Sequence, residues 1–564
     1  MKFSDFEYKR PVYEDVKVEF LYIVGEIENS STYKEQKEKI DKLNVLRNTV
    51  ETMSTIASIR YTINTRDEFY EKEREYWDEY SPLYDELNSN FYKVIVSSNF
   101  KEDIIKDFGE QFFNIASYSL KSFSPKIIKD LQEENRLCSQ YTKLMAGAKI
   151  NYKGEVYNLS KLGKYMLGKD REERRTSSEA YYGYFKDNQE KFEELFDKLV
   201  KIRTNIANKL GFEDFVELGY IRMMRTDYNE KMVEKFREQV LEYIVPLANK
   251  IYKRQAERLN LEKLTYIDEN FEFLSGNATP KCSSREIIEN GKKMYKELSS
   301  ETSEFFNFML ENELMDLVTK EGKGAGGYCT YIPNYKSPFI FSNFNQTADD
   351  IDVLTHEAGH AFQLYMSRDI DMPEINFPTY ESCEIHSMSM EFITWPWMEL
   401  FFKEDSEKYR FIHMSSAIKF IPYGIVVDEF QHYVYKQPDL SKEERRNVWR
   451  NLEKKYLPHK DYSGCEFLEN GGWWFKQGHI FKNPFYYVDY TLAQICALQF
   501  WKKIREDKKG GWDDYINICK VGGRKSFLEI VKIGNLKSPF EEGCVSSVID
   551  NIDGWLMSID DKNM

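Results

Sequence analysis

Proline is nearly missing from the first half of this 564-residue chain. Only Pro11, Pro82, Pro125 and Pro246 precede residue 280, and the other eleven of the fifteen stand at or after it. Proline removes a backbone donor and clashes with the preceding helical turn, so long stretches without it, rich in Glu, Lys, Leu and Tyr, predict long helices. Ser30-Ser31-Thr32 followed by Glu35 offers a capping box for a helix near 32–65. Its Leu43, Leu46, Val50, Met53 and Ile56 recur at helical spacing. Similar patterns predict helices near 67–95, 101–121, 124–147, 171–260 and 284–319. A short hairpin fits 149–157, with Lys153-Gly154 at its turn. Glycine clusters over 321–333, and 337–342 then reads as a strand. The fold expected is therefore mainly α, with a small β-sheet just before the segment described next. The boundary most compatible with this texture lies near 150–170, with both sides packed together.

That segment is His356-Glu357-Ala358-Gly359-His360, within a stretch from Asp352 to Tyr365 that reads as a helix. Two histidines four apart project from one helical face, so both imidazoles can reach one metal ion. The glutamate between them can touch a water at that metal. All seven histidines of the chain fall after residue 355, which a random surface scatter would not produce.

A catalytic zinc takes three protein ligands and keeps one position open. Residues 380–391 read as the start of a second helix, on which Glu384 and Glu391 share a face. Glu384 is the expected third ligand, with Glu381 and His386 as rivals. Glu391 or Asp352 could accept the free ring N–H of a ligating histidine and fix its tautomer. Cys383 adjoins Glu384 and reads as a packing residue.

The composition narrows the classes. Hydrophobic residues make up 41% and charged residues 31%, as in a soluble protein with a large core. The net charge of −15 argues against nucleic acid as a partner. The N-terminus carries early acids and no apolar core, so it does not read as a secretory signal, and no apolar run suggests a membrane span. The 8 cysteines are scattered without CxxC pairs and read as reduced thiols in a cytoplasmic protein.

The chain resembles oligoendopeptidase F and the related Pz-peptidases, in the thimet-oligopeptidase-like family of zinc metallopeptidases. The resemblance rests on His356-to-Phe362, Glu384-to-Glu391, Asp428-Glu-Phe-Gln-His432, His479-to-Tyr490, and the C-terminal Leu528-Glu-Ile-Val-Lys-Ile-Gly with Ser538-Pro-Phe540. It implies one zinc per chain on His356, His360 and Glu384. It also implies a two-lobed helical fold around a deep channel, here an N-terminal helical lobe over 1–165 and a catalytic domain over 166–564. The activity implied is hydrolysis of short, unstructured peptides.

Such chemistry needs a base and donors for the oxyanion. Glu357 fits the base. The stretch 479–490 offers His479, Tyr486, Tyr487 and Tyr490, of which the resemblance points to Tyr487 and Tyr490 as donors with His479 nearby. Gly326, Gly327 and Tyr328 in the glycine-rich stretch read either as an edge strand that pairs with a peptide backbone or as an ordinary turn. His432 is a candidate substrate contact.

Two readings from other classes compete. Glu357-x-x-His360 and Glu429-x-x-His432 both have the spacing of di-iron carboxylate bundles. A helical peptide-binding scaffold without catalysis is the other, and the intact His356, Glu357 and His360 weigh against it.

Overall fold

The computed structural model describes residues 1–324 and 326–564. The capping pattern opens a long helix, α1 (Tyr33–Ile63). The Glu35 amide donates to Thr32 Oγ1 at 3.3 Å, and the Ser31 amide donates to Glu35 Oε2 at 3.0 Å. The helix expected near 67–95 runs Glu68–Val96 and holds Pro82 inside it. The one near 101–121 is two, Lys101–Phe108 and Glu110–Ser122, because Gly109 between them takes φ +91°. The next is Ile128–Ala146.

The hairpin pairs β1 (Ile150–Tyr152) with β2 (Glu155–Tyr157). Lys153 and Gly154 at its tip both have positive φ, as a two-residue type I′ turn requires. The stretch 171–260 breaks into Arg171–Asp187, Gln189–Leu210, Phe215–Arg222, Glu230–Gln239 and Val245–Arg258. The stretch 284–319 is not helical throughout. Ser284–Leu298 and Ser300–Glu311 are helices, but β3 (Met315–Val318) is a strand. Strand partners far along the chain decide that outcome, which local periodicity could not show. β4 (Tyr328–Ile332) and β5 (Ser337–Phe344) complete a sheet in the order β3-β5-β4, with β5 parallel to β3 and antiparallel to β4. The glycine-rich stretch includes Ala325, which lies outside the described residues.

The sheet feeds directly into α2 (Asp349–Met366), the helix bearing His356 and His360. Then come α3 (Tyr380–Ile393), α4 (Ser406–Lys436) and α5 (Tyr487–Glu506). One buried apolar cluster extends from Phe3 and Ile56 through Phe341 and Phe362 to Leu556. A second, built on residues 13–112, closes over Ile370, Met372 and Ile375 in the link from α2 to α3. Buried Arg47 of α1 pairs there with Glu374, and Asn48 Nδ2 donates to Asp371 O at 3.0 Å. The N-terminal helices thus brace the segment that joins the two site helices. Among the described residues, no helix is long and apolar enough to cross a membrane.

Candidate active site

α2 buries Leu354, Ala358, Ala361 and Phe362 and turns His356 and His360 to its other face. Its entry is fixed by Asp350, which accepts from the Asn345 and Gln346 amides at 2.9 and 2.8 Å. α3 crosses α2 at Gly359. A Cβ there would lie 2.7 Å from both His386 O and Ser387 Cα, so only glycine admits so close a crossing. The crossing delivers Glu384 to the imidazoles. Glu384 Oε2 is 3.2 Å from His356 Nε2 and 3.5 Å from His360 Nε2. Ligand atoms about 2.1 Å from a tetrahedral ion sit about 3.4 Å apart, so these three residues fit a zinc-sized ion. Among the described residues they form the one group of three or more such side chains with this proximity.

Burial opposes ionisation of Glu384, yet the His360 and His356 imidazoles prevail and hold its carboxyl well below the usual range. For Glu357 the balance reverses: burial pushes its carboxyl up despite the same imidazoles.

Behind His356 stands Glu391. Its Oε1 takes the Nδ1–H of His356 at 2.7 Å, leaving Nε2 free for a metal. Its Oε2 lies 2.7 Å from His413 Nε2 on α4. Asp352 does not reach His356. It accepts from the Tyr409 hydroxyl, one turn before His413, and burial pushes its carboxyl up to about 7. Sequence reasoning missed His413 and Tyr409, because the contact crosses from one helix to another and neither residue belongs to a local pattern. His360 has no such support: its Nδ1 is buried without a partner among the described residues.

The rivals point elsewhere. Glu381 accepts from Thr379 Oγ1 at 3.0 Å, beside Asp489 and Arg225. His386 is fully buried, and burial lowers its imidazole to about 4. Cys383 donates to Pro378 O at 3.1 Å and lines the cavity described next.

His356, Glu357, His360 and Glu384 open on a cavity of about 550 Å³. Gly327, Tyr328, Tyr486 and Tyr490 share its wall, with Ile115 and Met224 from the N-terminal part of the chain. A Cβ on Gly327 would lie 3.6 Å from Glu357 Oε1. Gly326, at φ +93°, turns the chain into β4 without lining the cavity. Tyr328 stacks on Phe341 at 4.9 Å and meets Thr62 of α1 through its hydroxyl at 2.6 Å.

The tyrosines divide. Tyr490 is on the wall, and so is Tyr486, a candidate of the same stretch to which the resemblance assigns no role; it donates to Glu384 Oε1 at 2.9 Å. Tyr487 lies off the wall and packs edge-on against Tyr423 at 5.8 Å. His479 also lies behind it, with its ring 5.0 to 5.9 Å from the three tyrosines. Its Nδ1 accepts from the Gln477 amide at 2.8 Å, and burial, then Lys482, lowers its imidazole to about 4.

His432 stands apart. It is buried between Tyr220, 3.1 Å from Nε2, and the Asp428 carbonyl, 2.9 Å from Nδ1, and does not border the cavity. In this structure it packs beside the buried Arg237–Asp428 pair. Glu429 pairs with Lys455 and Tyr456. The two Glu-x-x-His motifs therefore do not meet, and the di-iron arrangement is not formed.

Known proteins agree with this architecture. Residues 3–123 match the peptidase M3 N-terminal domain, and residues 164–548 match peptidase family M3. A solved Pz peptidase A with an inhibitor shares 55% identity, with a TM-score of 0.95 and 100% of both chains covered. A structure from Bacillus anthracis, assigned to oligoendopeptidase F, shares 54% identity at a TM-score of 0.91, covering 100% of this chain and 99% of that one. The oligoendopeptidase F homolog of Borreliella burgdorferi is 25% identical over 371 residues, 63% of this chain. That match spans 60% of the relative's length. Fold, site and matches together define the class of the metallopeptidases. The chain belongs to peptidase family M3.

Proposed function

We propose that the chain is a zinc-dependent oligoendopeptidase that hydrolyses internal bonds of short, unstructured peptides in the cytoplasm. The observation that carries the reading is the approach of Glu384 Oε2 to His356 and His360 at 3.2 and 3.5 Å, with Glu357 on the same cavity wall. One zinc ion held by His356, His360 and Glu384 would polarise the scissile carbonyl and lower the pKa of the attacking water.

The chain's own residues do the rest. Glu357 takes the proton from water and passes it to the leaving amine. Tyr490 is a neutral donor on the cavity wall, because burial keeps its phenol protonated. It stabilises the oxyanion, with Tyr486 beside it. His479 and Tyr487 position these phenols from behind. Glu391 orients His356, while Asp352 acts through Tyr409. β4 is an edge strand, and Gly327 and Tyr328 at its start border the cavity. An extended peptide adds to that edge by backbone hydrogen bonds, which gives affinity with little side-chain preference.

Residues 1–165 form the lobe that narrows the channel and excludes folded proteins; Ile115 on the cavity wall supports that part of the reading. The cytoplasmic setting is supported by eight cysteines that are all unpaired. The test is one sequence presented twice, as a free peptide and inside a folded domain. Cleavage of the free peptide alone supports the reading. Equal cleavage of both removes the size limit, and cleavage of neither removes the activity.

A further inference from the structure

A second cavity, of about 600 Å³, opens at the other ends of α3 and α5. Phe392 and Ile393 close α3 there, and Trp501, Ile504 and Arg505 stand near the end of α5. Trp501 lies eleven positions after Tyr490 on α5, or about 16 Å along the axis. The cavity is thus distinct from the candidate active site, although the same two helices carry both.

Its chemistry has two halves. Trp395, Trp501 and Trp555 form an aromatic cup, with centroids 5.3 to 6.3 Å apart. The indole N–H groups of Trp395 and Trp501 are buried and have no acceptor among the described residues. The mouth carries Arg505, Lys508 and Lys509, all exposed. None of the three has an ion-pair partner among the described residues, whereas Arg410 in the same wall is held by Glu407 at 2.7 Å and by Trp395 O. In a chain of net charge −15, three unpaired cations around an apolar cup run against the composition. Arg505 further stacks on Trp501 at 4.9 Å, which joins the two halves.

We propose that this cavity binds an amphipathic anion, an acyl or aryl body seated in the tryptophan cup with its carboxylate or sulfonate at the basic mouth. The lining favours this over a nucleotide, because Glu407, its one carboxylate, is already engaged with Arg410. Beyond Glu407 the lining holds no side-chain acceptor for a base edge or sugar hydroxyl, and such groups lose affinity when buried unpaired. The site also has a neighbour of consequence. Phe392 and Trp395 pack on His413, with centroids 4.7 and 5.8 Å away, and His413 bonds Glu391. An occupant would sit one layer behind the residue that orients His356. The binding itself does not depend on the peptidase reading.

The test uses the full chain and a matched pair of probes, anilinonaphthalene sulfonate and its uncharged counterpart phenylnaphthylamine, followed by fluorescence. The anionic probe should bind at one saturable site, decanoate should displace it, and Arg505→Glu/Lys508→Glu/Lys509→Glu should weaken it about tenfold or more. The uncharged probe should be indifferent to the charge reversal. If the triple variant does not fold, Lys508→Glu alone, at an exposed position, should give a smaller loss in the same direction. Equal affinity of parent and variant for the anionic probe, or failure of decanoate to compete, overturns the proposal.

Discussion

Glu391 holds His356 through a 2.7 Å hydrogen bond to Nδ1, and the other oxygen of the same carboxylate holds His413 at 2.7 Å. The carboxylate thereby fixes one tautomer of His356 while being anchored to α4. Burial opposes protonation of His413, but its bond to Glu391 prevails and raises the pKa of the imidazole. Glu391→Gln is expected to weaken zinc affinity by about 10- to 100-fold while leaving the fold intact. Competition against a chelator of known affinity measures this. An unchanged affinity would mean that the orientation of His356 is set elsewhere.

Glu357→Gln separates chemistry from metal binding. Glu357 borders the cavity but is not one of the three clustered ligands. The variant should keep its zinc by elemental analysis and lose about 1,000-fold or more in kcat, since both proton transfers lose their carrier. Substantial turnover by a metal-loaded variant would exclude Glu357 as base.

The crossing of α2 and α3 depends on Gly359. Gly359→Ala places a methyl group 2.7 Å from two backbone atoms of α3, so the helices must part. A loss of about 1–3 kcal/mol in unfolding free energy is expected, with weaker metal binding because Glu384 moves with α3. Denaturant unfolding of the metal-free protein tests it, and parent-like stability would show that the crossing is not tight.

The tyrosines offer a positional contrast. Tyr490 is on the cavity wall and Tyr487 is behind it. Tyr490→Phe should lower kcat about 100-fold with little change in KM, as removal of an oxyanion donor does. Tyr487→Phe should cost much less. The reverse order in steady-state kinetics would exchange their roles.

Acid sensitivity should reside partly in His459. This imidazole stacks on Tyr252 at 3.6 Å, and burial, then the charges of Lys460 and Lys419, push its pKa well below 6.5. The folded chain therefore binds this proton less readily than the unfolded chain. Its contribution is fully present above about 6.5 and is lost as the pH falls below that value. His459→Phe keeps the stacking and removes the titration. Its stability should fall less than the parent's on mild acidification in denaturant unfolding. A parallel fall in both proteins would place the sensitivity at other groups.

Legibility in the sequence followed the range of the interactions. The caps of α1, the turn at Lys153-Gly154 and the shared face of His356 and His360 are local patterns, and they stand where the sequence placed them. The nearness of Glu384 to the two imidazoles was legible because a lone HExxH needs a partner and α3 offered few. β3 was not, because its pairing with β5 comes from a strand far along the chain. His413 and Tyr409 were not, because they meet the site across a helix interface that no spacing encodes. His432 has the same Glu-x-x-His spacing, and its enclosure by Tyr220 and Asp428 is likewise a contact that no spacing encodes.

Cleavage of peptides at the His356–His360–Glu384 cluster should depend on a bound metal. The most direct measurement incubates the purified chain with a short synthetic peptide, with and without a chelator, and reads the products by mass spectrometry. Internal cleavage that the chelator abolishes and added zinc restores is the expected result. Absence of cleavage by a chain shown to carry zinc would contradict it.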